Sequence, residues 1–332
     1  MAVLYVASDR SGAGKTALSA SLASIFAEDG LGVAVIKPLT GPDDTDVNAY
    51  ADLLGASQAS PPLTVPADGI SPAMADSVQQ ACAAAQDGKD VLIVEGASDL
   101  SQQDHARLAE ALDAAVVIVA GFTSDMDAES LSGWSEQMGD RLLGFLINGI
   151  TRYQDRNVTI GLLPEMEAKG LKSIGALPED RRLLGVTVSQ IAEHLNGRYL
   201  AGEELTDGLV EHFMVGGMGL DSGLEYFGLH NNKATIVRGD RPDIQMSSLQ
   251  TPTTCMVLTE GKDPIEYVLN EAELEDVPIV VTDSDTLTTM KALIGVQNRA
   301  RFNHPAKLAR FSELLRRHAD LDTIRTRLAP VA

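Results

Sequence analysis

The stretch SDRSGAGKT, residues 8–16, sits behind the apolar run AVLYVA and ahead of a helical pattern. It ends in Gly14, Lys15 and Thr16, the last three positions of the phosphate-cradling pattern G-x-x-x-x-G-K-[ST], yet Asp9 stands where that pattern opens with glycine. Gly12 and Gly14 allow the backbone N–H groups of Ser11, Gly12, Ala13 and Gly14 to converge on an anion without Cβ clashes. A helix beginning near Lys15, with Thr16 and Ala17 in its first turn, adds the positive end of its dipole. Lys15 suits the β- and γ-phosphates of a nucleotide such as ATP, and the Thr16 hydroxyl suits Mg2+. A strand before the loop and a helix after it favour this reading over an incidental Gly/Ser turn. Arg10, next to Asp9, has two readings: an arginine finger reaching a neighbour's nucleotide across a homodimer, or a surface arginine held by Asp9.

Such a loop needs a sheet to carry it. Over the first 200 residues, the runs VLYVAS, GVAVIKP, VLIVEG, AAVVIVAG, LLGFLING and KSIGALP are almost continuously apolar. Strands covered on both faces read this way. Helical segments such as KTALSASLASIFAEDG and SPAMADSVQQACAAAQDG lie between them and end at glycine. The expected fold is α/β, a doubly wound and mostly parallel P-loop sheet, followed by a second, smaller α/β domain. The Gly- and charge-rich NGRYLAGEELTDG breaks the rhythm, which places the domains at 1–198 and 205–332. ATIVRG, CMVLTEG and VPIVVTDSD are the strands expected in the second, closed by basic C-terminal helices. Between Arg299 and Arg327 basic residues outnumber acidic ones eight to three, which reads as a solvated face or a docking helix.

Composition narrows the partners. The chain has 332 residues and a net charge of −21, a surface that repels phosphate backbones, so nucleic acid is not an expected partner. No apolar run approaches the roughly 18 residues of a membrane span, and no signal peptide is expected. Cys82 and Cys255 stand far apart in apolar contexts and read as inert buried thiols, which fits a reducing cytoplasm. The histidines, His105, His194, His212, His230, His304 and His318, show no metal-ligand spacing.

On these motifs, residues 1–195 resemble the dethiobiotin synthetase-like P-loop domains, which include amidoligases of the cobyrinic acid diamide synthase type. SDRSGAGKT matches their loop in length and in its last three residues, and VIKPLTG resembles their lysine-proline segment. DDTDVNAYADLLG resembles the segment carrying a magnesium aspartate, which falls on Asp46. IVEGASDL resembles their VEGAGG segment, which makes Glu95 the second carboxylate ligand. GFLINGI resembles the strand whose asparagine meets adenine, here Asn148. The implied metal set is Thr16, Asp46 and Glu95, a hydroxyl and two carboxylates of the kind Mg2+ accepts beside phosphate oxygens. Lys37, just past its strand, joins Lys15 as a charge for the γ-phosphate. Asp46 also reads as a helix cap and Asn148 as a turn residue. Ser98 and Asp99 replace two glycines of the related segment, in the place where a ligase positions its substrate.

The second half resembles the DRTGG domain. Asp240 and Arg241 stand at its DR pair, and Thr259 to Gly261 at its TGG, with Glu260 replacing a glycine. Asp240, Arg241, Asp243 and Thr259 are the expected site of a small anionic effector; an internal Arg241–Asp243 or Arg241–Asp240 ion pair is the other reading. The two resemblances together are similar to the N-terminal regulatory region of long phosphotransacetylases, without the acetyltransferase domain. They imply a regulatory ATPase, with a phosphotransacetylase-type partner enzyme; the alternative is an ATP-dependent ligase.

Overall fold

The structure is a computed structural model, and it describes residues 2–41, 44, 48–55, 61–86, 88–217 and 223–328. The chain divides into two compact units, residues 1–180 with 302–332, and Arg181–Arg301.

In the first unit the elements run β1 (Ala2–Ser8), α1 (Lys15–Glu28), β2 (Val33–Ile36), β3 (Leu39–Thr40), α2 (Ala49–Leu54), β4 (Leu63–Thr64), α3 (Pro72–Ala85), β5 (Val91–Glu95), α4 (Gln102–Ala111), β6 (Ala115–Gly121), α5 (Glu129–Met138), β7 (Leu142–Ile150), α6 (Asp155–Asn157), α7 (Leu163–Ala168) and β8 (Ser173–Pro178). Among the described residues six strands form a parallel sheet in the order β2-β5-β1-β6-β7-β8. β1 sits inside it, paired with β5 on one side and β6 on the other. The strand order reverses there, so the loop after β1 opens at the crevice where such sheets bind ligands. Leu4, Tyr5, Val6 and Ala7 of β1 are fully buried, which is why that strand reads as an unbroken apolar run. Local chemistry starts the helices: Ser71 caps α3 through the Met74 N–H, with Pro72 in its first turn, and Ser101 caps α4 through the Asp104 N–H.

The second unit runs β9 (Val186–Thr187), α8 (Val188–Leu195), β10 (Arg198–Ala201), β11 (Leu209–Val210), β12 (His212–Gly216), α9 (Gly223–Phe227), β13 (Lys233–Arg238), α10 (Pro242–Leu249), β14 (Thr253–Thr259), α11 (Glu266–Leu274), β15 (Ile279–Val281) and α12 (Thr286–Leu293). Its sheet has the order β10-β15-β14-β13-β12, parallel except for β10. One face is covered by α8 and α12, the other by α9, α10 and α11.

The expected domain limits of 1–198 and 205–332 are corrected at both ends. Val188, Ile191, Ala192 and Leu195 of α8 are buried in the core of the second unit, and β10 is its edge strand, so the division falls at Asp180/Arg181. The basic C-terminal helices, α13 (Pro305–His318) and α14 (Leu321–Leu328), return to the first unit. There α13 packs along α1 and β8, and α14 against β1. Phe311, Leu314, Leu315 and Ile324 are buried in that contact. The arginines pair with acids of the first unit: Arg316 with Glu28 at 2.5 Å, Arg325 with Asp29 at 2.8 Å and Arg310 with Asp180 at 2.7 Å.

Candidate functional site

Asp9 takes the place of the loop's leading glycine because it is used as a tie. Its Oδ1 accepts from the Gly121 N–H at 2.9 Å, fixing the loop to the end of β6, and its Oδ2 holds Arg10. Gly12 and Gly14 have φ of +73° and +109°, values that L side chains rarely adopt. Gly14 is also short of space: a Cβ there would lie 2.6 Å from the Asn148 amide. α1 then begins at Lys15 with no side-chain cap at its N-terminus, which leaves its first N–H groups facing the loop.

Lys15 and Thr16 are buried, and so are Lys37 and Glu95. The Lys15 ammonium donates to Ser8 Oγ at 2.9 Å and to Ser98 Oγ at 2.7 Å. Thr16 Oγ1 donates to Glu95 Oε1 at 3.1 Å. Lys37 Nζ lies 3.1 Å from that same oxygen and 2.5 Å from Asp44 Oδ2. Burial pulls its pKa down, but Glu95 and Asp44 together outweigh that and leave it above the ordinary lysine value. The structure therefore brings Lys15, Thr16, Lys37 and Glu95 into one pocket. Asp46 lies outside the described residues. Asn148 ends near the loop, its amide donating to the Ala13 carbonyl at 2.8 Å.

Two groups at this site escaped the sequence. Tyr50, buried on α2, donates its hydroxyl to Glu95 Oε2. Its one signal is a lone aromatic residue shortly after the acid-rich DDTD. Beneath the turn after β5, Tyr5 OH and His105 Nδ1 are 2.8 Å apart and buried. A Cβ on Gly96 would meet Tyr5 OH at 2.5 Å and the His105 ring at 2.9 Å, so this turn must be glycine. Burial, and then the Lys15 charge, push the His105 pKa down to about 3.

In the second unit, the ends of β13, β14 and β15 meet. Their loops are joined by backbone hydrogen bonds, Gly239 N to Thr259 O at 3.3 Å, Glu260 N to Ser284 O and Gly261 N to Thr282 O both at 2.9 Å. The charges there are paired within the chain. Arg241 holds both carboxylate oxygens of Asp243, at 2.9 and 2.7 Å. Asp240 and Glu260 each pair with both Arg238 and Lys262, closing a ring of four charges. Glu260 adopts φ +68°, a conformation that suits the glycine it replaces. Thr259 Oγ1 is 2.9 Å from Thr286 Oγ1.

Residues 2–187, more than half of the chain, match the family described as an AAA domain. The chain belongs to that family. Residues 190–296 match the DRTGG domain, so the second unit carries the resemblance its motifs implied. Two curated relatives are named phosphate acetyltransferase. The one from Deinococcus radiodurans is 24% identical over 98% of this chain and 50% of its own length. The one from Nitratidesulfovibrio vulgaris is 21% identical over 98% of this chain and 51% of its own. The chain thus spans about half the length of the curated relatives it matches. Among solved structures, the MinD cell division protein of Aquifex aeolicus is similar over 55% of this chain and 85% of its own, at 17% identity and a TM-score of 0.38.

The AAA domain's pocket fits a nucleotide with Mg2+. Left-handed glycines and an uncapped helix start provide an anion cradle, while Thr16 Oγ1 and Glu95 Oε1 stand together beside it. Among the described residues no group of three or more His, Cys, Asp or Glu side chains is placed to hold a metal ion. A hydroxyl and one carboxylate leave most of an octahedral shell to phosphate oxygens and water, as Mg2+ in nucleotide sites requires. Bound there, Mg2+ would supply charge neutralisation at the β- and γ-phosphates. Among the described residues no helix is long and apolar enough to cross a membrane.

Proposed function

We propose that this chain is a Mg2+-dependent, ATP-binding regulatory ATPase whose DRTGG unit senses a small anionic effector. The observation that carries it is the meeting of Lys15, Thr16, Lys37 and Glu95 under the Gly12–Gly14 turn. Lys15 holds the β- and γ-phosphates, Lys37 the γ-phosphate, and Thr16 with Glu95, and with Asp46, the metal. Asn148, which ties to the loop through the Ala13 carbonyl, is the residue proposed to meet adenine. The working context is acetyl-phosphate and acetyl-CoA metabolism with a phosphotransacetylase-type partner activity, supported by the names of the two curated relatives. An effector at Asp240, Arg241, Asp243 and Thr259 must take the Arg241 fork from Asp243.

Regulation is favoured over ligation by the turn after Glu95. Ser98 engages Lys15, and Asp99 lies against the backbone beyond β3, so close that a Cβ on Gly41 would be 1.8 Å from its Oδ2. By the resemblance, these two side chains replace the glycines beside which a related ligase positions its substrate. Phosphate release from Mg·ATP is the test. Slow release without any added amine or carboxylate, lost in Lys15→Ala, is expected; release that strictly requires such a substrate would mean a ligase. In the same assay Arg10→Ala should lower turnover by about tenfold or more while nucleotide still binds, because an arginine finger acts on the transition state of a neighbour in a homodimer. Unchanged turnover would leave Arg10 as the surface partner of Asp9.

A further inference from the structure

The pocket at the end of β5 already contains a cation of its own. Lys37 Nζ sits between Asp44 Oδ2, at 2.5 Å, and Glu95 Oε1, at 3.1 Å. Thr16 Oγ1 donates to that same Glu95 oxygen at 3.1 Å, and the Tyr50 hydroxyl donates to the other. A divalent ion held by Thr16 and Glu95 would therefore meet an oxygen that an ammonium already shares, and a hydroxyl whose proton points at that oxygen. Two cations on one carboxylate oxygen repel strongly in a buried site, where water screens little. A nucleotide alters this balance, since its phosphate oxygens offer the ammonium a new partner as negative as Glu95.

We propose that Lys37 is the resident counter-cation of the pocket, holding free divalent ions off Glu95 and releasing that carboxylate only to a metal ion that arrives with nucleotide phosphates. This rests on the nucleotide-binding reading above. It makes Lys37 a specificity-determining residue, one that selects the metal–nucleotide complex over the bare metal ion.

The test titrates Mn2+, as a paramagnetic substitute for Mg2+, into the nucleotide-free full chain and reads the free-ion signal by electron paramagnetic resonance. Lys37→Met should bind Mn2+ about tenfold or more tighter than wild type, since the competing charge is gone. Lys37→Arg, which keeps that charge, should behave as wild type, and Lys37→Met with Glu95→Gln should lose the gain. Equal Mn2+ affinity in wild type and Lys37→Met overturns the proposal. Should Lys37→Met fail to fold, refolding on addition of Mn2+ supports the proposal, because the ion then replaces the ammonium; no refolding overturns it. Calorimetry of wild type with Mg·ATP runs in parallel. No heat there would refute nucleotide binding itself, a failure separable from equal Mn2+ affinities.

Discussion

His105 has to stay neutral for the fold to persist, and this gives the molecule an acid sensitivity that can be measured. Its ring is buried between Tyr5 and Trp134 and its pKa is pushed down to about 3, against 6.5 for an exposed imidazole. Below pH 6.5 the unfolded chain takes up a proton that the folded chain refuses until about pH 3. Stability from this group is therefore complete above pH 6.5 and falls as pH drops, by about 1.4 kcal/mol per pH unit within that window. Urea unfolding of wild type and His105→Gln from pH 7 to pH 4, a range set by that window, should show the shallower decline in the variant. Parallel declines would assign the acid sensitivity to other groups. Tyr5 responds in the opposite sense, since burial raises its pKa and ionisation is blocked in the fold.

The helix that starts at Lys15 is held from behind by the last part of the chain. Leu315 of α13 is fully buried in the contact with α1, and Leu315→Ala should cost about 2–5 kcal/mol in urea unfolding of the P-loop unit. A loss under about 0.5 kcal/mol, the size expected of a surface change, would mean that α13 is not integral to that core. The strands and the loop were legible because their signals are local: unbroken apolar runs and glycines at fixed offsets. The return of α13 was not. Its arginines look solvated in sequence, and their partners Glu28 and Asp29 lie 288 and 296 positions away, beyond any periodicity. The placement of α8 failed for a similar reason. Its apolar spacing declares a buried face, made by Val188, Ile191 and Leu195, without declaring which sheet receives it. In the site, Lys15, Thr16, Lys37 and Glu95 were legible by type and position. Tyr50 was not, because an isolated buried tyrosine carries no spacing rule.

At the scale of the whole molecule, the DRTGG unit is a continuous segment and the AAA unit is not. Residues 181–301 have their own sheet and two apolar faces, so that segment expressed alone should unfold cooperatively, with residues 1–180 alone failing to do so. Circular dichroism melts of the two pieces decide this, and a cooperative melt from 1–180 would show that α13 and α14 are dispensable. The net charge of −21 adds self-repulsion to either piece, which raised salt should relieve.

The interruption of the AAA unit also sets an order of events during synthesis. Domains emerge from the ribosome N-terminal end first. The phosphate loop is made before the DRTGG unit, yet the helix behind it waits for Phe311, Leu314 and Leu315 until that entire unit has been translated. The DRTGG unit is thus able to fold before the AAA unit can finish, so in a newborn chain the inserted unit would be complete ahead of the one that encloses it.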